Sequence, residues 1–151
     1  MSPGAPEPGI VLGLDLGDAR VGVAASDPAR RVATRLSVIR VGSPGGPDVP
    51  ATIEQVAMLA EAHGATCVVV GEPVSMDGTR GPRALAAAAF ADHLGARLGI
   101  PVALQDERLS TVEATRGLRD AALPARLRKR TVDAEAARLI LQAWLDRQPP
   151  A

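Results

Sequence analysis

Three acidic segments, far apart in the chain, hold the residues best suited to chemistry. The first is Gly13-Leu14-Asp15-Leu16-Gly17, where an acid interrupts an apolar run. A carboxylate inside an apolar strand is costly unless a partner compensates its charge, and a bound cation is one such partner. Gly17, and Gly22 a few residues later, allow a ligand to approach the backbone closely. The alternative is a tight turn in which backbone donors satisfy Asp15.

The second segment holds two adjacent acids, Asp106 and Glu107, where an apolar strand ends and a helix is about to begin. Ligands of α/β sheets usually bind at the carboxyl ends of the strands. Neighbouring residues of an extended chain face opposite ways, so only one of these acids can point into a shared site. The other could pair with Arg108 or with a backbone amide. An ordinary polar loop explains this segment equally well.

The third segment contains Asp133, at the predicted start of the last helix. Taken alone, an acid in a first helical turn is explained by the helix dipole. Together with Asp15 and Glu107, it becomes a candidate oxygen ligand. Oxygen ligands without a cysteine cluster or a close histidine pair suit Mg²⁺ or Mn²⁺ rather than zinc. Two such ions can activate water and stabilise the leaving oxygen of a phosphodiester.

Basic residues are gathered locally, although the formal net charge of the chain is zero. That balance is mild evidence against extensive phosphate binding, but local patches can still grip a polyanion. The scarcity of aromatic residues favours recognition of the backbone over base stacking. A solvated surface explains each patch about as well. The candidate contacts to nucleic acid are Arg20, Arg80, Arg108, Arg128, Lys129 and Arg130.

The segment from Ser75 to Arg83 is a further candidate for phosphate binding. Gly78 and Gly81, with Thr79, Arg80 and Arg83, could hold a phosphate in front of the helix that Pro82 begins. The alternative is a flexible loop before a helix started by proline.

Hydrophobic periodicity predicts the elements that must position these residues. Three closely spaced strands favour an antiparallel meander, and the later strands alternate with helices, so we expect an α/β fold with a mixed sheet covered by helices. We expect a basic connector from Pro124 to Arg130. The predicted strands are Ile10–Leu16, Val21–Ala25, Ala33–Val41, Thr66–Val70 and Pro101–Leu104; the predicted helices lie near Ile53–Gly64, Pro82–Leu98, Ser110–Leu118 and Val132–Trp144.

The chain is predicted to form one domain over residues 10–148, with a disordered tail at 1–9 and a short tail at 149–151. No signal peptide and no spanning apolar run is present, which makes the cytoplasm the expected compartment. The single cysteine, Cys67, is expected to be a small buried hydrophobe. His63 and His93 are expected at the surface.

Six motifs in order resemble the YqgF/RuvX family over about Ile10 to Asp146: Gly13-Leu14-Asp15-Leu16-Gly17, Arg20-Val21-Gly22-Val23-Ala24, Val69-Val70-Gly71, Met76-Asp77-Gly78, Asp106-Glu107-Arg108-Leu109-Ser110-Thr111 and Val132-Asp133-Ala134. That family is described both as Holliday-junction resolvases and as pre-16S rRNA processing nucleases. The resemblance implies a ribonuclease H-like fold with a five-stranded sheet, three strands antiparallel and two parallel. It also implies catalytic, metal-binding carboxylates at Asp15, Glu107 and Asp133.

Two positions depart from the family pattern. Ala19 stands where the family usually has lysine, which leaves Arg20 as the only basic group of the first turn. Glu72 stands where the family usually has leucine. Related resolvases of this fold use an acid near this strand end to bind metal, so Glu72 is a possible extra ligand, as is Asp106. An exposed acid at a strand end is the plainer explanation for Glu72.

The resemblance favours a Mg²⁺- or Mn²⁺-dependent nuclease that matures the 5′ end of pre-16S rRNA, acting on pre-rRNA or ribosomal precursor particles as a monomer or homodimer. A resolvase of branched DNA is the main alternative. A fragment of a sugar kinase or actin-like ATPase also has Asp-x-Gly on a first strand, but such proteins need two domains to enclose ATP. A non-catalytic nucleic-acid-binding assembly factor would need the basic patches and no carboxylate cluster.

Overall fold

The computed structural model describes residues 9–17, 20–40, 49–109 and 125–149, with the backbone alone for residues 109 and 125–132. Its elements, in chain order, are β1 (Val11–Leu16), β2 (Arg20–Ser26), β3 (Ala33–Arg40), α1 (Val49–His63), β4 (Cys67–Glu72), α2 (Pro82–Leu98), β5 (Val102–Asp106), a 3₁₀ turn (Glu107–Leu109) and α3 (Ala125–Asp146).

The strands form one five-stranded sheet in the order β3-β2-β1-β4-β5. β1, β2 and β3 pair antiparallel as a meander. β4 runs parallel to β1, and β5 runs parallel to β4. Short turns join the antiparallel strands, whereas each parallel strand follows a helix because a parallel connection must cross the sheet. The predicted mixed sheet, with three antiparallel strands followed by two parallel ones, is confirmed.

Side chains alternate along the strands between two hydrophobic cores. On the α1/α2 face, Leu14 and Val70 pack with residues of those two helices. On the α3 face, Val11 and Val69 pack with Ile140 and other residues of α3. The interior strand β4 is buried along its whole length, which explains its run of valines. This alternation fixes the face on which each polar strand residue lies.

Polar contacts hold α3 against the outer strands of the meander. The Gln142 carboxamide accepts a hydrogen bond from Ala33 N at 2.9 Å and donates one to Arg31 O at 2.9 Å. Arg35 Nε lies 3.6 Å from Glu135 Oε2, which joins β3 to α3. These contacts bridge a hundred residues of chain or more and fix α3 against β3.

Several predicted boundaries agree with the structure. α2 begins at Pro82 and ends at Leu98, as predicted, and Gly99 closes it in the left-handed conformation with φ of 67°. β4 and β5 each run two residues further than predicted, to Glu72 and Asp106, because backbone pairing continues through polar residues. The helix predicted from Ser110 lies outside the described residues, as do residues 1–8.

The predicted basic connector at 124–130 is wrong, because α3 already begins at Ala125. Alanine, leucine, arginine and lysine are all strong helix formers, so this charged segment continues the last helix instead of interrupting it. None of the helices in the described residues is long and apolar enough to cross a bilayer.

Candidate active site

Asp15 lies near the carboxyl end of β1 on the α3 face. It pairs with Gly22 of β2, and alternation along β1 places it on the same face as Val11. Its residue surface is only 4% exposed. β1 is buried because it occupies the middle of the sheet. Asp15 is therefore a buried acid at the edge where ligands of α/β sheets usually bind.

Glu107 reaches the same face from the end of β5. The strand ends at Asp106, and the chain turns into the 3₁₀ turn with Glu107 6% exposed. A Cβ atom added at Gly71 would lie 3.4 Å from Glu107 Cγ, so the Glu107 stem lies over that glycine. Gly71 directly follows Val70, the partner of Leu14, and is therefore the neighbour of Asp15 across β1 and β4.

Asp133 belongs to α3, which packs directly on the sheet at this residue. A Cβ atom added at Gly22 would lie 2.0 Å from the Asp133 carbonyl oxygen. Since Gly22 is the strand partner of Asp15, the helix backbone at Asp133 is next to that acid. Asp133 stands about two turns after the start of α3, so the dipole of a first turn does not explain its presence.

Asp15, Glu107 and Asp133 thus belong to one edge and one face of the sheet. No three acidic, histidine or cysteine side chains among the described residues are gathered closely enough to form a metal-binding group. Neighbouring carboxylates repel each other unless a cation lies between them, which favours a more open arrangement of these side chains. The donors are all oxygen, two of the three are buried, and Gly22 and Gly71 let α3 and Glu107 come close to Asp15. This donor set fits Mg²⁺ or Mn²⁺.

Glu72 and Asp106 lie on the other side of the sheet. They are register partners at the ends of β4 and β5, and alternation places both on the α1/α2 face. Arg80 Nε donates to Glu72 Oε2 at 2.9 Å. Its hydrogen bonds to Glu72, followed by the charge of that carboxylate, raise the pKa of the Arg80 guanidinium. Both acids therefore have arginine partners away from Asp15.

Asp106 binds Arg108 through both of its oxygens. The Arg108 backbone N donates to Asp106 Oδ1 at 2.8 Å, and its Nε lies 3.1 Å and 3.0 Å from Oδ1 and Oδ2. Arg108 Nη2 donates to Oδ2 at 2.6 Å. The side-chain hydrogen bonds from Arg108 hold the pKa of the Asp106 carboxyl below its ordinary value. Asp106 therefore fixes the direction of the Arg108 side chain.

A cleft opens beside Glu107, between the loop after β4 and the start of α2. Its volume is about 360 Å³. The loop that forms one wall is ordered by Asp77, which accepts hydrogen bonds from Thr79 N at 3.0 Å and Thr79 Oγ1 at 2.7 Å. These bonds lower the pKa of Asp77. The cleft is lined by Pro73, Val74, Ser75, Gly81, Pro82, Arg83, Glu107 and Arg108.

Two arginines stand side by side on the other side of the carboxylates. Arg20 of β2 pairs directly with Arg40 of β3, and alternation places Arg20 on the same face as Gly22. Neither side chain forms an ion pair within the part of the chain that the structure describes. Like charges directly opposite each other destabilise a sheet, so an anion between them would be favourable. The backbone of Arg128, Lys129 and Arg130 lies in α3, just before Asp133.

Sequence reasoning passed over two residues near this edge. Arg40 was not among the candidate contacts to nucleic acid. Gln105 was not singled out, because it follows an apolar run and is itself followed by two acids, as a loop residue would be. It is 3% exposed and pairs with Gly71, and its Nε2 has no hydrogen-bond partner within the described residues. Its burial follows from the continuation of β5, which the sequence pattern did not predict.

The predictions for the remaining chemically active side chains are confirmed. Cys67 is buried, and burial raises the pKa of its thiol. His63 and His93 are both exposed on helices, away from the carboxylates. They contribute nothing to the site described above.

The order and pairing of the strands define a ribonuclease H-like fold. Over 94% of the chain, the structure superposes on RuvC of Thermus thermophilus in complex with a Holliday junction substrate, with a TM-score of 0.57 and 20% identity, covering 99% of that chain. The yeast mitochondrial Holliday junction resolvase Ydc2 matches with a TM-score of 0.54 and 16% identity, over 95% of this chain and 80% of that one. At such identities, the likeness concerns the fold.

A family profile described as RuvX, Holliday junction resolvase, matches residues 9–147. The chain is 46% identical over 139 residues to a protein of Anaeromyxobacter sp. (strain K), covering 92% of this chain and 98% of that protein. It is 44% identical to a protein of Myxococcus xanthus, covering 92% of this chain and 89% of the relative. Both carry the name "Putative pre-16S rRNA nuclease". The chain belongs to the RuvX family, as its motifs predicted.

Proposed function

We propose that this protein is a divalent-metal-dependent nuclease in which Asp15, Glu107 and Asp133 bind the metal. The observation that carries the proposal is the meeting of two buried acids and α3 around Gly22 and Gly71. A buried carboxylate is costly unless its charge is compensated, and a bound cation is one such compensation. A bound Mg²⁺ or Mn²⁺ would supply an activated water and stabilise the leaving oxygen of a phosphodiester.

The chain's own residues hold and orient the substrate around this centre. Arg20 and Arg40 bind the phosphate backbone on the β2/β3 side. Because their like charges repel each other, an anion bound between them is favourable. Arg128, Lys129 and Arg130 add positive charge along α3 before Asp133. Contacts of this kind give affinity that depends on salt and little on sequence.

Glu72 and Asp106 act through arginines in this proposal instead of binding metal. Glu72 holds Arg80, which braces the loop after β4, and Asp106 holds Arg108. Both acids lie on the α1/α2 face, whereas Asp15 lies on the α3 face. Each is already neutralised by a cation, which lowers its value as a ligand for a second cation.

The proposed substrate is the precursor of 16S rRNA, cut during maturation of its 5′ end. Support comes from the names of the relatives, which match nearly the full length of this chain. Such a role places the protein in the cytoplasm, with ribosomal precursor particles as partners. Branched DNA is the second candidate, favoured by the family description and by the fold shared with RuvC.

Parallel cleavage assays test this proposal. The wild-type protein is incubated with precursor 16S rRNA and with a four-way DNA junction, each with Mg²⁺, with Mn²⁺ or with a chelator. We expect metal-dependent cleavage of the rRNA precursor near its mature 5′ end. Preferential cutting of the junction would move the substrate assignment to DNA. Cleavage that persists in the chelator would contradict the metal site.

A further inference from the structure

We propose that the cleft beside Glu107 binds a backbone phosphate of the substrate strand, adjacent to the one that is cut, and that Arg83 and Arg108 are its ligands. The proposal rests on the nuclease function above and assigns a second contact point to the same strand. Its position follows from Glu107, which belongs both to the carboxylate edge and to the wall of the cleft. A strand bound at the carboxylates therefore passes the mouth of the cleft.

The size and polarity of the cleft suit a phosphate. Its volume of about 360 Å³ is roughly that of a dozen water molecules, enough for a phosphodiester group with part of its hydration. Apart from Glu107, the charged residues in its lining are arginines. The rest of the wall is formed by Pro73, Val74, Ser75, Gly81 and Pro82, and it contains no aromatic ring on which a base could stack.

Arg83 supplies the first of the two positive charges of the proposed phosphate subsite. It lies exposed in the first turn of α2, and its side chain forms no ion pair or hydrogen bond within the described residues. A solvated guanidinium at the wall of a cleft can bind a phosphate without first breaking an internal contact. The planar group offers paired N–H donors that match two phosphate oxygens.

Arg108 supplies a second cation whose direction is already set. Asp106 occupies Nε and one side of Nη2, whereas Nη1 has no hydrogen bond within the described residues. Fixing the fork in advance lowers the entropy lost when it binds an anion. Asp106 is therefore a positioning residue for Arg108.

Arg80 differs from Arg83 and Arg108, because it is paired with an acid and does not line the cleft. Its Nε and Nη2 donate to Glu72 at 2.9 Å and 3.4 Å, and it is absent from the lining of the cleft. Arg80 thus braces the loop that forms one wall. Of the two arginines predicted to hold a phosphate at this loop, the proposal keeps Arg83 and gives Arg80 a bracing role.

Binding of a fluorescently labelled single-stranded RNA, in the absence of divalent metal and over a series of salt concentrations, tests the subsite. Arg83→Gln should weaken binding roughly tenfold at low salt and reduce the slope of log affinity against log salt by about one. The control is Arg147→Gln, which removes the same charge from an exposed position just after the far end of α3. It should leave both quantities nearly unchanged.

Asp106→Asn distinguishes two roles of Asp106: orienting the Arg108 side chain, or acting only through its negative charge. Removing a negative charge near a phosphate site should strengthen RNA binding if Asp106 acts only through its field. If Asp106 orients Arg108, the same change should weaken binding. Circular dichroism of each variant confirms that it is folded.

Three results would overturn the subsite: Arg83→Gln binding like Arg147→Gln, Asp106→Asn binding more tightly than wild type, or a wild-type protein that does not bind the strand. The nuclease proposal fails separately, by absence of metal-dependent cleavage. If RNA binding depends on Arg83 but the protein cuts neither substrate, the phosphate subsite stands and the nuclease proposal is contradicted.

Discussion

At the scale of single residues, the central feature is an acid placed where the surrounding strand is apolar. Asp15 is buried in the middle strand, and Glu107 is buried at the same edge of the sheet. Carboxylates at such positions are costly unless their charge is compensated, and the proposed ion would contribute to that compensation. The glycines next to these acids matter as much as the acids, because they let α3 and Glu107 approach.

Replacing Asp15 by asparagine should separate catalysis from folding. We expect Asp15→Asn to lower the rate of cleavage by at least about a hundredfold, because it removes an oxygen charge from the metal site. Without metal, the variant should remain folded, because asparagine has nearly the same size and shape as aspartate. Cleavage kinetics and urea unfolding measure the two effects.

The matched control is Asp92→Asn, the same change on the exposed side of α2. It should alter neither cleavage nor stability. An active Asp15→Asn protein would remove Asp15 from the metal site.

Glu72 gives the opposite expectation. Glu72→Gln should retain metal-dependent cleavage within about threefold of wild type, because glutamine can still accept a hydrogen bond from Arg80 and no ligand is lost. Cleavage rates at several Mn²⁺ concentrations test this. A loss comparable to that of Asp15→Asn would make Glu72 a metal ligand.

Asp106 should make stability depend on acid pH. Its folded pKa is held below the ordinary value of 3.8 by hydrogen bonds from Arg108. A carboxyl group with a lowered folded pKa stabilises the protein above its unfolded pKa, and this stabilisation is lost as the pH falls through the folded value. Asp106→Asn should therefore be less stable than wild type at neutral pH, and the difference should vanish in acid. A difference that grows in acid would contradict the ion pair.

At the scale of elements, the site depends on where α3 meets the sheet. Periodicity predicted the strands and α2 well, because those segments bury one face in a regular pattern. It failed at the start of α3, where a run of basic residues was interpreted as a connector. Local charge said little there, since the same residues are good helix formers.

The faces on which Glu72 and Asp106 lie could not be predicted from the sequence. They follow from the register of β4 and β5, which a one-residue shift would reverse. The sequence did predict that only one of the two adjacent acids would reach the shared site, and the structure places Asp106 and Glu107 on different faces. The close contact between Gly22 and Asp133 could not be predicted from the sequence either, because it joins residues over a hundred positions apart.

Gly22→Ala tests that contact. The new Cβ would lie 2.0 Å from the Asp133 carbonyl oxygen, so α3 must move away from β2. We expect a loss of about 1–3 kcal/mol in the free energy of unfolding and a marked loss of cleavage, because Asp133 moves with the helix. Gly81→Ala is the control for stability, since a Cβ there meets nothing within 4 Å. Wild-type stability in Gly22→Ala would show that the contact is not tight.

At the scale of the whole molecule, a neutral protein binds a polyanion by placing its charges unevenly. Arg20 and Arg40 stand on one side of the carboxylates, and Arg83 and Arg108 stand on the other. A nucleic-acid strand that contacts both groups would cross the acids between them. The net charge, which alone argued against phosphate binding, therefore says less than the distribution along this one edge.

The most direct measurement is the anomalous scattering of Mn²⁺ in crystals of the wild-type protein. The account predicts a manganese peak with oxygens of Asp15, Glu107 and Asp133 at about 2.1 Å, and no such peak in crystals of Asp15→Asn. Manganese bound only elsewhere, for example between Glu72 and Asp106 on the α1/α2 face, would contradict it.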